Sequence, residues 1–207
     1  MEYGWAPSVL DGTESEFMHD GSLDMPETYD YKDYLSRVYN QGNYPICVAC
    51  SVGAHLNWNM NVDSKNDNSL DNGIRLMDIY KSKTTNGNGM TFKDALHFLR
   101  HTGVMSNNGL MKIERYAMVS SVDALKAALV LNGPCIGGMI VKNFTDKFWD
   151  SKYGNGNYGG HAICISGYNK HGFIIRNSWG EEWGKNGYSV LPYDQFHLLL
   201  EIWTIID

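Results

Sequence analysis

The chain has 207 residues, a length that allows one large domain or two small domains packed closely together. Charged residues make up 19% of the chain and aromatic residues 13%, which is typical of a globular protein and excludes a largely disordered one. The formal net charge is -6 and no local basic patch occurs. This charge argues against nucleic acid or an anionic membrane surface as a partner.

Membrane and export signals are also missing from the sequence. The N-terminal residues show neither the basic start nor the apolar run of a secretory signal. The longest uncharged stretch, 127–141, contains glycine and proline and is shorter than the roughly 20 apolar residues that a membrane span needs. The four cysteines, at positions 47, 50, 135 and 164, are too sparse for a disulfide scaffold. We therefore expect no membrane contact and a reducing compartment.

An acidic segment opens the chain. Residues 1–31 contain eight Asp and Glu residues and no Lys or Arg. Such a composition is typical of a solvated arm, or of an extended segment that lies on the rest of the protein.

A long helix is predicted from Cys47 to about Asn61, because apolar residues recur there every four positions and so share one helix face. These residues are Val48, Val52, Leu56 and Met60. A second helical pattern covers about 70–82. The first half of the chain is thus predicted to be mainly helical.

Two further helices are indicated by capping residues. Thr91 precedes a helical pattern and forms a Thr-x-x-Asp capping box with Asp94. Ser120 and Asp123 form a similar cap for a short helix that ends at the turn 132–134.

The pattern changes after residue 134 to short apolar or alternating runs separated by Gly, Asn and Pro turns, which indicates an antiparallel sheet or barrel. These runs lie at 135–141, 161–168, 172–179, 187–191 and 201–207. Helices followed by strands predict an α+β protein with two segregated lobes and a boundary near 116–120. A cleft between two such lobes is where a functional site is expected.

Cys47 is the first candidate for chemistry. It follows a proline-containing loop and lies in the first turn of the longest predicted helix, where the helix dipole is expected to lower the thiol pKa and favour a thiolate nucleophile. The Cys47-x-x-Cys50 spacing also permits a redox pair or half of a zinc site. However, no second Cys-x-x-Cys and no βαβ pattern accompany it. Cys50 is interpreted as a small buried hydrophobic residue.

His161 and Asn177 are the second and third candidates. His161 opens an apolar strand after two glycines, which allow another backbone or a substrate to approach closely. A hairpin of this length can bring the Asn177 side-chain carbonyl beside the His161 ring and fix its tautomer. The alternative is that His161 is only a packed or surface residue. The other histidines, at 19, 55, 97, 101, 171 and 197, lack ligand-like spacing, so neither a metal nor a cofactor is predicted.

Short motifs surround these three residues. They are Gln41 six positions before Cys47, Ala49 and Ser51 after it, His161-Ala162, Asn177-Ser178-Trp179-Gly180, and Trp183-Gly184-x-x-Gly187-Tyr188. Further motifs are MPETYDY at 25–31, the NGNG turn at 86–89 and NGPCIGGMIV at 132–141. Together they resemble the papain-type cysteine peptidase family over about residues 25–207.

The resemblance implies a papain-like two-lobe fold. Residues 25–118 would form a mainly helical left lobe, and residues 119–207 a right lobe built as an antiparallel β-barrel, within one peptidase domain that follows an acidic N-terminal extension, 1–24. The active-site cleft would lie between the lobes.

Roles for individual residues follow from the same resemblance. Cys47 would be the nucleophile, His161 the general base and acid, Asn177 the residue that orients the imidazole, and Gln41 the side-chain donor of an oxyanion hole that the Cys47 backbone N–H completes. Trp179 would shield the bond between Asn177 and His161 from water.

Substrate contacts can be placed in the same way. By position, Asn88, Gly89, Met90, Gly138 and Ala162 would line a cleft for a peptide or protein substrate, with Gly89 offering backbone hydrogen bonds. The alternative for Gly89 is a role in the turn only.

Several positions depart from the family pattern. Val48 follows the nucleophile where animal and plant enzymes usually have Trp, as in bacterial and viral members, and Tyr44 replaces a cysteine of secreted members. Both favour a cytoplasmic or virus-associated protein. Only about 24 residues precede the peptidase-like region where zymogens carry a long inhibitory propeptide, so a non-inhibitory extension is favoured.

The predicted function is a cysteine-type peptidase that works through an acyl-enzyme. One alternative keeps the same chemistry in an amidase, aminopeptidase or acyltransferase. The other is a non-catalytic binding or structural protein that retains the fold.

Overall fold

The computed structural model describes residues 4–64, 72–83, 89–154, 156 and 158–207. Four α-helices span Cys47–Ser64 (α1), Leu76–Lys81 (α2), Phe92–His101 (α3) and Val122–Asn132 (α4). Nine strands span Tyr29–Asp30 (β1), Val104–Ser106 (β2), Gly109–Met111 (β3), Arg115–Met118 (β4), Cys135–Ile140 (β5), Gly160–Asn169 (β6), Gly172–Arg176 (β7), Tyr188–Pro192 (β8) and Glu201–Ile206 (β9). The predicted long helix and the five predicted strand runs are confirmed.

The helix caps confirm one prediction and correct another. Thr91 caps α3, and its Oγ1 accepts from the Asp94 N–H at 3.0 Å. The cap of α4 is Ser121, whose Oγ accepts from the Ala124 N–H at 3.1 Å, so the prediction of Ser120 was wrong by one residue. Ser120 instead donates to the carboxylate of Glu16, because the acidic N-terminal segment lies against this end of the molecule.

The main sheet is antiparallel throughout and has the order β4-β9-β5-β6-β7-β8, with β1 paired to the far end of β6. Its end strands, β4 and β8, are not paired with each other in the described part of the chain, so the sheet is open and the predicted closed barrel is corrected. Residues 15–17 bind the free edge of β4, through Phe17 N–H to Met118 O at 2.7 Å and Met118 N–H to Ser15 O at 2.8 Å. The N-terminal segment therefore pairs with the outer edge of β4.

Two hydrophobic cores account for the two lobes. One surrounds α1 and α3 and includes Val52, Leu56, Leu96 and Leu99. The other lies between α4 and the sheet and includes Leu125, Leu129, Ile165 and Phe173. The α+β class is confirmed. Because β1 and β4 join the sheet from the predicted helical lobe, 25–118, the lobe boundary at 118/119 stays a prediction.

Arg176 ties the loop that precedes α1 to the sheet. Its buried guanidinium, at the end of β7, donates to the backbone oxygens of Ser36 at 2.7 Å and Arg37 at 2.8 Å, and to Tyr188 Oη at 3.1 Å. A buried cation with three acceptors holds this loop firmly against the sheet, which places Gln41 beside the residues that follow β7.

Within the described ranges, no helix combines the length and the apolar character that crossing a bilayer requires.

Candidate active site

Cys47 lies in the first turn of α1, and its side chain is fully buried where α1 packs against β6. Its Sγ accepts a hydrogen bond from the Ala162 N–H at 3.4 Å. Ala162 follows His161 at the start of β6, so this single contact brings the predicted nucleophile and the predicted base to the same point. The Cys47 N–H belongs to a first helical turn, whose donors have no acceptor within the helix.

His161 is fully buried and is held by Asn177. The His161 Nε2 lies 2.7 Å from Asn177 Oδ1, which also accepts from the Ser178 N–H at 2.8 Å. An amide oxygen only accepts hydrogen bonds, so Nε2 carries the proton and the lone pair of the neutral ring is on Nδ1. His161 Nδ1 is buried and has no hydrogen-bond partner among the described residues. The basic atom of the ring is therefore free to accept a proton.

Aromatic side chains enclose the bond between His161 and Asn177. The Trp179 ring lies over the imidazole with centroids 4.8 Å apart, and Phe148 meets it edge-on at 5.6 Å. Trp183 packs on Trp179 at 5.6 Å. These rings exclude water from the hydrogen bond, which makes it electrostatically stronger than it would be in solvent.

Gln41 is buried beside the same loop. Its Oε1 accepts from Ser178 Oγ at 2.7 Å, and its Nε2 donates one hydrogen to Tyr44 O at 3.0 Å. The amide has two hydrogens on Nε2, so a second one remains for another acceptor. The structure thus gathers Cys47, His161, Asn177 and Gln41 from four separate segments into one place.

Of the predicted substrate-binding residues, Asn88 falls outside the described residues, and each of the other four lies next to Cys47 or to residues 4–6. Gly138 on β5 pairs with Ala162 on β6, and both are buried. Met90, also buried, and Gly89 approach from the helical side.

The N-terminal segment lies on the rest of the protein, which is one of the two alternatives that its composition left open, and its residues 4–6 bond Gly160 and Met90 beside the site. The Trp5 N–H donates to Gly160 O at 3.3 Å, while Met90 accepts from the Ala6 N–H at 3.1 Å and donates to Gly4 O at 2.6 Å. We call residues 4–8 the plug segment.

Trp5 is the residue that sequence reasoning missed. Its side chain is 4% exposed and packs on Phe92, with ring centroids 5.8 Å apart. A Cβ atom at Gly138 would lie 2.3 Å from the indole, and one at Gly160 would lie 2.3 Å from Trp5 O. The expectation that glycine before His161 admits a second backbone is therefore confirmed, although that backbone is the chain's own. The signal in the sequence was a tryptophan inside an otherwise acidic segment.

Burial sets the protonation states of the covered site. It raises the pKa of the Cys47 thiol to about 11, although N–H groups of Ala162 and Gly4 act in the opposite direction. Burial also lowers the pKa of His161 to about 4, although the hydrogen bond that its Nε2 donates to Asn177 acts in the opposite direction. The prediction of a lowered thiol pKa is wrong for the covered site, because desolvation outweighs the helix dipole. Cys47 and His161 are both neutral beneath the plug segment.

The four cysteines are free and buried, Cys50 among them, as its interpretation as a packing residue predicts. No group of three or more His, Cys, Asp or Glu side chains is arranged to hold a metal ion within the described part of the chain.

Comparisons with known proteins agree with this geometry. A family model described as papain family cysteine protease matches residues 105–197, a range that includes His161 and Asn177. A protein of Acanthamoeba polyphaga mimivirus, described as an uncharacterized peptidase C1-like protein, is 44% identical over 52 residues, which are 23% of this chain and 17% of that protein. Cathepsin K of Mus musculus is 27% identical over 199 residues, 81% of this chain and 60% of that protein. The chain spans less than two thirds of the length of these curated relatives.

A solved structure extends the likeness to the whole chain. Xylellain, a cysteine protease from Xylella fastidiosa, superposes with a TM-score of 0.83 at 22% sequence identity, over 99% of this chain and 95% of that one. This likeness establishes the two-lobe fold. Taken with the family model over residues 105–197, it shows that the chain resembles the papain family of cysteine proteases in fold and in part of its sequence.

Proposed function

We propose that this protein is a cysteine peptidase that hydrolyses peptide bonds of peptide or protein substrates through an acyl-enzyme intermediate. The observation that carries the proposal is the buried His161, whose Nε2 is fixed by Asn177, whose Nδ1 has no hydrogen-bond partner among the described residues, and whose neighbour Ala162 donates its N–H to Cys47 Sγ. A nucleophile, a base and a group that orients the base are the parts that acyl transfer needs.

The first half of the reaction uses Cys47 and His161. When substrate replaces the plug segment, His161 Nδ1 takes the thiol proton, and Cys47 Sγ attacks the carbonyl carbon of the scissile bond. The resulting oxyanion accepts hydrogen bonds from the free Nε2 hydrogen of Gln41 and from the Cys47 N–H. His161 then gives its proton to the leaving amine, and the acyl group stays on Sγ as a thioester.

Water completes the cycle. His161 takes a proton from a water molecule, the hydroxide attacks the thioester carbonyl, and the acid product leaves as Sγ recovers its proton. Asn177 keeps the imidazole in one tautomer through both halves, and the rings of Trp179 and Phe148 protect that bond.

The cleft residues are proposed to bind an extended peptide. Met90 and Gly160 offer the backbone groups that Ala6, Gly4 and Trp5 now use, so a substrate in the same place would form comparable bonds. Gly89, Gly138 and Ala162 complete the walls, and Asn88 stays a prediction. Four free thiols support the proposed cytoplasmic or virus-associated setting, since such thiols persist in reducing surroundings.

An amidase, aminopeptidase or acyltransferase would use the same residues, and no observation favours one of them over an endopeptidase. A peptide library separates the classes by where cleavage occurs and by whether an added amine receives the acyl group.

The test is replacement of the nucleophile. Cys47→Ala is expected to abolish hydrolysis of a peptide library, because the change removes the proposed nucleophile. Cys50→Ala is the matched control, since Cys50 is three residues away on the same helix and buried in packing; it is expected to keep activity within about threefold. Each change is measured in the natural chain and in a chain that also carries Trp5→Ala, where the cleft is emptied.

The proposed peptidase would be refuted if the double variant Cys47→Ala, Trp5→Ala hydrolysed peptides as fast as the single variant Trp5→Ala. Loss of activity in Cys47→Ala, with activity kept in Cys50→Ala, would support it.

A further inference from the structure

Helix α3 carries two histidines on its exposed face, and we propose that His97 and His101 form a surface site for a divalent transition metal ion, with Zn²⁺ as the expected ion. Both side chains are exposed, and their rings lie beside each other with centroids 4.3 Å apart. The site uses neither Cys47 nor His161, so the inference is independent of the proposed peptidase.

The helix brings the two histidines together. Residues four positions apart in an α-helix lie one turn apart on the same face, so their side chains are neighbours. His97 and His101 both lie within α3, Phe92–His101, and therefore have this relation. Two histidines at the same spacing on one helix bind zinc in His-Glu-x-x-His sites. The helical position replaces the interpretation from sequence that this pair lacks ligand-like spacing.

The ring nitrogens of the pair are available for a ligand bond. Neither the His97 nor the His101 ring forms a hydrogen bond or an ion pair with a described residue; each contacts the other ring. By contrast, Nδ1 of the exposed His197 lies 3.1 Å from Asp194 O. A metal ion binds the lone pair of a neutral imidazole, so rings without other partners lose no existing bond when they bind one.

The backbone of α3 holds the two histidines at a fixed separation. The opposite face of the helix packs Phe92, Leu96 and Leu99 into the core, and all three are fully buried. Because both rings are at the surface, side-chain rotation is enough to turn their lone pairs towards one ion. Binding by the first imidazole then places the ion within reach of the second at a high effective concentration.

The surroundings leave room for the rest of a coordination shell. His97 borders an open cavity of about 380 Å³, which Thr91, Asp94 and Tyr116 also line. Two imidazoles fill two of the four positions that zinc usually takes in proteins. Within the described ranges no third His, Cys, Asp or Glu side chain joins the pair. Water or an external donor would therefore complete the shell, as in an open and exchangeable site.

Charges around the pair act in both directions. Arg100 lies between the two histidines in sequence, and Lys112 Nζ donates to His101 O at 2.7 Å. These two cations oppose a metal ion, whereas the partial negative charge at the C-terminal end of α3 favours one. Selection is therefore expected to come from the imidazole ligands. Zinc, nickel and copper ions bind imidazole well, and magnesium prefers oxygen ligands.

The test is calorimetric titration of the folded full-length chain with ZnCl₂. Every chain in the titration carries Cys47→Ala, so that the thiol of the candidate active site binds no zinc. This parent chain is expected to bind one zinc ion. His97→Ala and His101→Ala are each expected to weaken binding by about tenfold or more, because either change removes one of two linked ligands. MgCl₂ is expected to give no binding heat.

Two matched controls separate the pair from histidine content alone. His171→Ala removes an exposed histidine from the turn between β6 and β7 and is expected to leave zinc affinity unchanged. The double change His101→Ala, Thr102→His keeps the number of histidines and moves the second imidazole about 100° further around the helix. It is expected to bind zinc as weakly as His101→Ala.

Protection from chemical modification locates the ion in the natural chain. Diethyl pyrocarbonate modifies imidazole nitrogens that carry no ligand, and peptide mass spectrometry reads each histidine separately. ZnCl₂ is expected to protect His97 and His101 together, while His171 reacts at the same rate with and without zinc.

The site would be overturned by equal zinc affinity in the parent chain and both single variants, or by modification of both rings at an unchanged rate in zinc. Parent-like affinity in the chain with Thr102→His would also overturn it, because binding would then not depend on the one-turn spacing. Neither experiment measures peptide hydrolysis, so failure of the proposed peptidase is a separate result.

Discussion

Replacement of His161 by alanine is expected to lower kcat/KM for peptide hydrolysis by about 10⁴-fold, measured in the Trp5→Ala chain. The reason is that Nδ1 of this ring has no hydrogen-bond partner among the described residues, and in the proposed mechanism it takes the Cys47 proton and later protonates the leaving amine. Without it the thiol keeps its proton at neutral pH, and the amine leaves unprotonated.

His97→Ala is the control for this experiment, because His97 is an exposed residue of α3 away from the cleft. It is expected to change kcat/KM less than twofold. Thermal unfolding of both variants shows whether the fold survives. A folded His161→Ala chain with more than a tenth of the starting activity would remove His161 from the mechanism.

Gln41→Ala is expected to lower kcat by about 10²- to 10³-fold and to leave KM nearly unchanged. In the proposed mechanism, its second Nε2 hydrogen donates to an oxygen whose negative charge exists only after Cys47 attacks. An interaction made only in the transition state lowers kcat when it is lost. The measurement is a full kcat and KM determination with one peptide substrate in the Trp5→Ala chain.

Gln41 also has a structural role, since it bonds Tyr44 O and Ser178 Oγ. Ser178→Ala removes the second of these bonds and keeps the Nε2 donor, so it separates the two roles and is expected to cost less than about tenfold in kcat. Equal losses in Gln41→Ala and Ser178→Ala, or a loss that appears only in KM, would contradict the oxyanion role of Gln41.

Local sequence patterns predicted several helices and strands of the fold and one contact of the candidate site. The four-residue apolar spacing from Val48 to Met60 indicated α1, and the Thr91 cap indicated the start of α3, because both features depend on residues a few positions apart. The spacing of His161 and Asn177 predicted their contact, because a hairpin of two paired strands brings its ends together.

Features that depend on distant parts of the chain were not predicted. The contact of Trp5 with Gly138 joins segments more than 130 positions apart, and no local pattern encodes it. The direction of the thiol pKa also depends on the tertiary structure, since the helix position of Cys47 favours a thiolate and burial of the side chain raises the pKa instead. The open sheet also depends on a distant part of the chain, because residues 15–17 bind the edge of β4 that a closed barrel would use.

The central claim, that Cys47 is the nucleophile of a cysteine peptidase, is tested most directly with an epoxysuccinyl peptide probe, which reacts with an activated thiol. The probe is added to the Trp5→Ala chain at neutral pH, and the site of attachment is found by peptide mapping and mass spectrometry. If Cys47 is the nucleophile, one adduct for each chain is expected, located on Cys47 and lost in His161→Ala. Labelling of Cys50, Cys135 or Cys164 before Cys47, or labelling that does not depend on His161, would contradict it.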